Sequence, residues 1–249
     1  HVSLTPRFNG AVKEDGKGIN TSLDAEGRTA LHLAVAKGNM DSVRFLLQKL
    51  RAQPNKADEK GQTPLYAAVT ARNVPMISLL LDHGALFQVN DDENRTPLMW
   101  AIEQGHDVPF LDQLCRLGSR PGAETEAGLT ALHTAAAFVR TDAIDYLIAQ
   151  GVSPNTANQG DETPLHWAIG VYGGHEALRR LLHHGANPLL RTDKIHSPLH
   201  LAALQGDKTA ADILLSQPRV KETIDDFKTY NDGFTPLMLA VSLNQTAIA

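Results

Sequence analysis

The chain has 249 residues, 23 Lys and Arg against 28 Asp and Glu, a formal net charge of -5 and 42% hydrophobic residues, a composition that excludes whole-chain disorder. Its one cysteine, Cys115, excludes an intrachain disulfide or a Cys-rich metal site, and mild acidity without a basic patch points away from nucleic acid. No stretch approaches the roughly 18 apolar residues of a membrane span.

Residues 1–22, with Gly10, Gly16, Gly18 and little periodicity, are expected to form an irregular N-terminal arm. Beyond them a tetrapeptide recurs: Thr29-Ala30-Leu31-His32, Thr63-Pro64-Leu65-Tyr66, Thr96-Pro97-Leu98-Met99, Thr130-Ala131-Leu132-His133, Thr163-Pro164-Leu165-His166, Ser197-Pro198-Leu199-His200 and Thr235-Pro236-Leu237-Met238. The spacings are 34, 33, 34, 33, 34 and 38 residues. A fixed period of roughly 20–50 residues signals a solenoid, in which each unit has an apolar face that only its neighbour can cover.

One unit shows why the period has this length. Thr163 is suited to cap a helix whose first residue is Pro164, where a missing N–H costs nothing. A second helix carries Leu178, Leu181 and Leu182 at helical spacing and stops at Gly185. The polar connector from Ala186 to Ser197 reads as a turn or hairpin. The other second helices repeat the pattern with Val43, Leu46 and Leu47, with Ile77, Leu80 and Leu81, with Ile144, Leu147 and Ile148, and with Ile213, Leu214 and Leu215.

On these residues the chain resembles the ankyrin repeat, a roughly 33-residue β-turn plus two antiparallel helices with a T-P-L-H-x-A motif. Asp24 to Thr29 and Asp58 to Thr63 also match the family's Asp-x-x-Gly-x-Thr turn. The resemblance covers about residues 24 to 249 and implies an all-α solenoid of about seven helix-turn-helix repeats linked by hairpin fingers. The domain is placed at 23–249, with repeats starting near 24, 58, 91, 125, 158, 192 and 230 and the last incomplete, as in a fragment of a longer protein. It also implies that His32, His133, His166 and His200 form a structural hydrogen-bonded ladder.

Departures from the period lie at one extra residue around Pro109 to Gly118, one at Tyr172 to His175, and a longer loop from Ser216 to Gly233 that ends a second helix near Pro218. Extra residues should loosen the helix-helix turns locally. Longer loops on a regular scaffold either touch a partner or are tolerated insertions.

Catalytic and metal motifs fail at specific positions. The phosphate-loop spacing is broken between Gly10 and Gly18, and His175-Glu176 is followed by Arg179 where a zinc helix needs its second His. The acidic run at Asn90 to Asn94 has Arg95 where a calcium loop needs Gly, and Cys115 falls among apolar helix positions. No catalytic residue, metal ligand or cofactor is expected. An enzyme built on His175, His183 and Glu176 is the weakest reading.

The resemblance implies partner binding on the concave side, made by finger tips and the exposed flank of the first helices. Trp100, Trp167, Phe138, Val171, Leu204, Leu129 and Phe234 fall at positions facing that side, with Arg95, Glu103, Glu162 and Arg191 around them. Binding hot spots favour Trp, Tyr and Arg; the alternative is that each Trp packs between adjacent first helices. The expected function is a non-catalytic protein- or peptide-binding module, monomeric and cytoplasmic. The alternative is a targeting or substrate-recruiting segment of a larger enzyme or bacterial effector, the latter acting in the host cytosol.

Overall fold

The structure is a computed structural model that describes residues 18–194, 196–223 and 235–242. Among them are helices and turns and no strand. The elements are α1 (Ala30–Ala36), α2 (Met40–Gln48), α3 (Pro64–Thr70), α4 (Val74–Asp82), α5 (Pro97–Glu103), α6 (Val108–Arg116) and α7 (Ala131–Ala137). They continue as α8 (Thr141–Ala149), α9 (Pro164–Trp167), α10 (Gly174–His183), α11 (Pro198–Gln205), α12 (Lys208–Leu215), α13 (Pro218–Thr223) and α14 (Pro236–Ser242). The chain forms two compact units, residues 1–101 with 116–119, and residues 102–115 with 120–249.

In the first unit α1 packs on α2 and on α3, and α3 packs on α4. Leu31, Val35, Val43, Leu65, Val69, Met76, Ile77, Leu80 and Leu98 are buried there. In the second unit α7 packs on α8 and α9, α10 on α8 and α12, and α11 on α9, α12 and α14. Its core is Ile102, Phe110, Leu111, Leu132, Ile144, Leu147, Leu165, Leu178, Leu181, Leu199 and Leu214. Ala68, Ala135, Ala168, Ala202 and Ala203 are also buried, and their small side chains let first helices approach closely. Each buried leucine removed would cost about 2–5 kcal/mol.

The first helices α1, α3, α7, α9 and α11 begin at a Thr or Ser held in extended backbone conformation, followed in α3, α9 and α11 by Pro at the first turn. Second helices are capped by side chains that accept from the first-turn amides: Asn39 from Ser42, Asn73 from Met76, Asp107 from Phe110 and Asp207 from Ala210. Arg140 departs from this. Its Nη2 and Nε donate instead to the carbonyls of Glu103 and Ile102 at 2.9 and 3.2 Å, satisfying the open end of α5.

The fingers are tight turns closed by two backbone bonds, Asp58 N–H to Gln62 O at 2.9 Å with Gly61 N–H to Asp58 O at 3.1 Å, and Asn158 N–H to Glu162 O at 2.9 Å with Asp161 N–H to Asn158 O at 3.0 Å. The first side chain of the turn explains its composition. Asp58 and Asn158 each accept two backbone amides two and four residues on, as an Asx turn does. Gly61 sits at φ +72°, and a Cβ there would lie 2.6 Å from the amide nitrogen of Asp92 on the next finger. Glycine is therefore required twice, for the dihedral and for the approach. Finger-to-finger bonds run from Glu59 to Glu26 and from Asp92 to Lys60 in the first unit, and from Gln159 to Ala127 and Asp193 to Gly160 in the second.

Three irregularities differ from expectation. The extra residue of the third repeat falls in the turn between α5 and α6, residues 104–107, before Pro109 rather than after it. In the fifth, α9 is cut to four residues and Gly173 enters α10 at φ +78°. Gly174 closes that turn against the carbonyl of Ala168, which a Cβ would meet at 2.2 Å. Where a loop from Ser216 is expected, Pro218 starts α13, because Pro at a first turn initiates as readily as it terminates. Val220 of α13 is buried, which is what seats it. Residues 1–17 of the expected N-terminal arm, and the repeat start near 230, lie outside the described residues.

Candidate partner-binding surface

The histidine ladder comes first, because it positions everything near it. In the Thr-x-x-His pattern the Thr backbone N–H donates to His Nδ1, at 3.1 Å for Thr29 and His32 and for Thr130 and His133, and at 3.0 Å for Thr163 and His166. Accepting at Nδ1 leaves the proton on Nε2. That nitrogen donates to the next finger, from His32 to Gln62 O and from His133 to Glu162 O, both 3.0 Å. Burial pushes the pKa of His32, His133 and His166 down, that of His166 to about 4. A charged ring would also turn a second N–H against the Thr amide.

Three repeats carry other residues at this position, Tyr66, Met99 and Met238. Tyr66 sends its hydroxyl to the carbonyls of Val89 and Arg95, the latter in the same register as the histidine rungs. Met99 offers its Sδ to the Thr96 amide at 3.5 Å.

In the first unit, Trp100 is half-buried and built into the scaffold. Its Nε1 donates to Thr70 Oγ1 at 2.8 Å, its ring meets Tyr66 edge-on at 6.3 Å, and the Arg95 guanidinium lies 4.6 Å from its centre. Arg95 is held in turn by Asp91 at 2.7 Å and Glu93 at 2.9 Å. The tryptophan therefore packs between first helices while part of its surface stays open.

In the second unit, Trp167 is also half-buried, edge-on to His133 at 5.7 Å, with Nε1 donating to Glu162 Oε2 at 3.0 Å. Asn158 Nδ2 reaches the same oxygen at 3.0 Å. Phe138, at the C-terminal end of α7, is 44% exposed, while Val171, Leu204, Leu129 and Arg191 are half-buried and Glu103 lies at the end of α5. Phe234 lies outside the described residues. Tyr172, in the turn after α9, is 102% exposed and was not among the expected positions. The signal for it was present in Gly170-Val171-Tyr172-Gly173-Gly174, an aromatic carried in the widened turn with no apolar periodicity to bury it.

The groups weighed for catalysis are held apart or engaged. His175 Nε2 pairs with Asp207 at 2.8 Å, Glu176 with Arg180 at 3.2 Å, and His183 borders an open groove of about 330 Å³ lined also by Arg179, Leu182, Ile213, Ser216 and Gln217. Among the described residues, no group of three or more His, Cys, Asp or Glu is placed to hold a metal ion. Cys115 is half-buried, and burial pushes its thiol up, away from the thiolate a nucleophile needs. No helix among the described residues is long and apolar enough to cross a membrane.

The family model for ankyrin repeats (3 copies) matches residues 49–115, 107–192 and 174–249, and the single ankyrin repeat model matches 26–59. The chain belongs to the ankyrin repeat family. It is an all-α ankyrin-repeat solenoid, and a fold of this family is a protein-interaction module. The crystal structure of the ankyrin repeat domain of Bcl-3, of the IkappaB protein family, is similar with a TM-score of 0.69 at 26% identity, covering 90% of this chain and 98% of that one.

Palmitoyltransferase ZDHHC13 of Homo sapiens is 33% identical over 131 residues, 51% of this chain and 21% of that protein. The transient receptor potential cation channel subfamily A member 1 of Homo sapiens is 28% identical over 229 residues, 89% of this chain and 17% of that protein. The chain thus spans about a fifth of the length of these curated relatives.

Proposed function

We propose that the chain is a non-catalytic module that binds a protein or peptide on the side formed by its fingers, first helices and the turns that follow them. The observation that carries this is Tyr172, wholly exposed beside half-buried Val171, one repeat on from exposed Phe138 at the end of the preceding first helix. Exposed aromatics are what a hot spot recruits, because each offers a large contact area. Leu129 on the fourth repeat, Trp167 on the fifth and Leu204 on the sixth supply half-buried apolar surface. Glu103, Glu162 and Arg191 of the second unit remain part of the proposed surface, and in the first unit Trp100 and Arg95, a prepacked pair, are proposed by themselves as partner contacts.

The test is affinity capture with the folded chain, comparing Phe138→Ser plus Tyr172→Ser with Phe45→Ser, which alters an exposed aromatic on α2. The first variant should lose the captured protein and the second keep it; loss in both or in neither overturns the assignment.

A second reading, a substrate-recruiting segment of a larger enzyme, is favoured by the likeness to palmitoyltransferase ZDHHC13. Fusing the chain to an unrelated catalytic domain should redirect that domain to the captured partner.

A further inference from the structure

The third and fifth repeats carry tryptophan at the same register, four residues after Thr96 and Thr163, and comparing them residue by residue exposes a difference in charge. In the third, the residue before the Thr is Arg95, and its guanidinium lies over Trp100 at 4.6 Å, anchored by Asp91 and Glu93. In the fifth, the residue before the Thr is Glu162, so the position that supplies a cation to one ring supplies a carboxylate to the other. Asn158 and Trp167 both donate to Glu162 Oε2, which fixes the carboxylate beside the indole. Among the described residues, no hydrogen bond or ion pair reaches Oε1, and no cation stacks on Trp167.

We infer that Trp167 and Glu162 form a receptor for a cationic side chain of the partner, an arginine guanidinium, which takes at the fifth repeat the place that Arg95 fills at the third. This deepens the reading above and rests on it for the partner being a protein. The chemistry is complete in the pair: the negative face of the indole attracts the guanidinium, and Oε1 accepts one of its N–H groups. Glu124, Glu126 and Asp161, all exposed on the fourth and fifth fingers of the same unit, add a negative field. Arg191 and Lys194 on the sixth finger give the opposite sign, which sets a direction along which a mixed-charge segment would lie.

With only two tryptophans, ¹⁵N-labelled protein shows two indole N–H resonances, assigned by Trp100→Phe. N-acetyl-arginine amide is titrated against its neutral isostere, N-acetyl-citrulline amide. The Trp167 resonance should shift saturably with arginine and bind citrulline about five-fold more weakly, while the Trp100 resonance stays still. Glu162→Gln, which can keep the bonds that hold the side chain, should weaken arginine by a similar factor, and Arg95→Ala should make Trp100 respond as well.

Equal response to the two probes, an unmoved Trp167 or an unaffected Glu162→Gln each overturns the inference. Because the probe is a single amino acid, its failure leaves the capture experiment with Phe138 and Tyr172 standing, and the two outcomes separate.

Discussion

Asp145 of α8 is met from α10 by Arg180 at 2.6 Å and by His184, one turn further on, at 2.7 Å. One carboxylate therefore ties two second helices of successive repeats at both of its oxygens. The side chains are partly exposed, so the gain is screened by water. Asp145→Ala is expected to lower unfolding free energy by about 1 kcal/mol, read from the urea midpoint, with the difference shrinking in high salt. A salt-independent loss would show that the contact acts by packing instead.

His133→Ala removes a ring that joins Thr130 on its own repeat to Glu162 on the next. Both polar groups are left without their partner and a cavity opens beside Trp167. The expected loss is about 3 kcal/mol, measured by urea unfolding. Tyr66→Phe, which keeps the ring and deletes only the hydroxyl, should cost about 1–2 kcal/mol.

Acid should unfold the chain in a window set by these histidines. A folded pKa below the unfolded value means that the unfolded chain binds the proton first, so stability is intact above the unfolded value near 6.5 and falls as pH drops below it. For His166 the fall continues until pH reaches about 4 and then levels off. His32 and His133, shifted the same way by burial, steepen the slope. Urea midpoints at pH 7, 6 and 5 should decline in order, and His166→Gln should flatten the decline; identical midpoints would contradict the buried neutral state.

The finger turns make a paired prediction. Gly61→Ala forces a Cβ to 2.6 Å from the Asp92 amide at φ +72°, and should cost about 2 kcal/mol or more. Asp161 holds the equivalent place in the fifth finger at φ +55° without glycine, so Asp161→Gly should raise stability by about 0.5 kcal/mol. Thermal unfolding of the two variants, moving in opposite directions, checks both.

The inter-repeat clamps are Asn55 and Asn155. Asn55 donates to Gly84 O at 2.7 Å and accepts from the Leu86 amide at 2.9 Å, and Asn155 treats Gly185 and Asn187 in the same way. Asn55→Ala is expected to cost about 1–2 kcal/mol, with amide exchange accelerated at Leu86.

Cap residues and core leucines were legible because each is a local rule repeated in phase: Thr before Pro, Gly after the second helix, apolar residues at helical spacing. The finger hydrogen bonds followed the same logic. Less could be read where the outcome depends on a neighbour. Whether Trp100 is open or packed turns on Thr70, some 30 residues earlier, and on an arginine beside it. Pro218 could end a helix or begin one, and burial of Val220 decided it. Tyr172 lies in an insertion, which has no sibling position in the other repeats, so their register says nothing about which way its ring faces.

The rungs that stack one repeat on the next end on main-chain oxygens, those of Gln62 and Glu162, and never on the side chains that carry them. The receiving residue is thus chemically anonymous to the scaffold: neutral in one case, acidic in the other, with an identical 3.0 Å bond. Mutation there leaves the rung itself in place, because every residue brings the same main-chain oxygen, and what is lost is only what the side chain holds on its own account, as Glu162 holds Asn158 and Trp167.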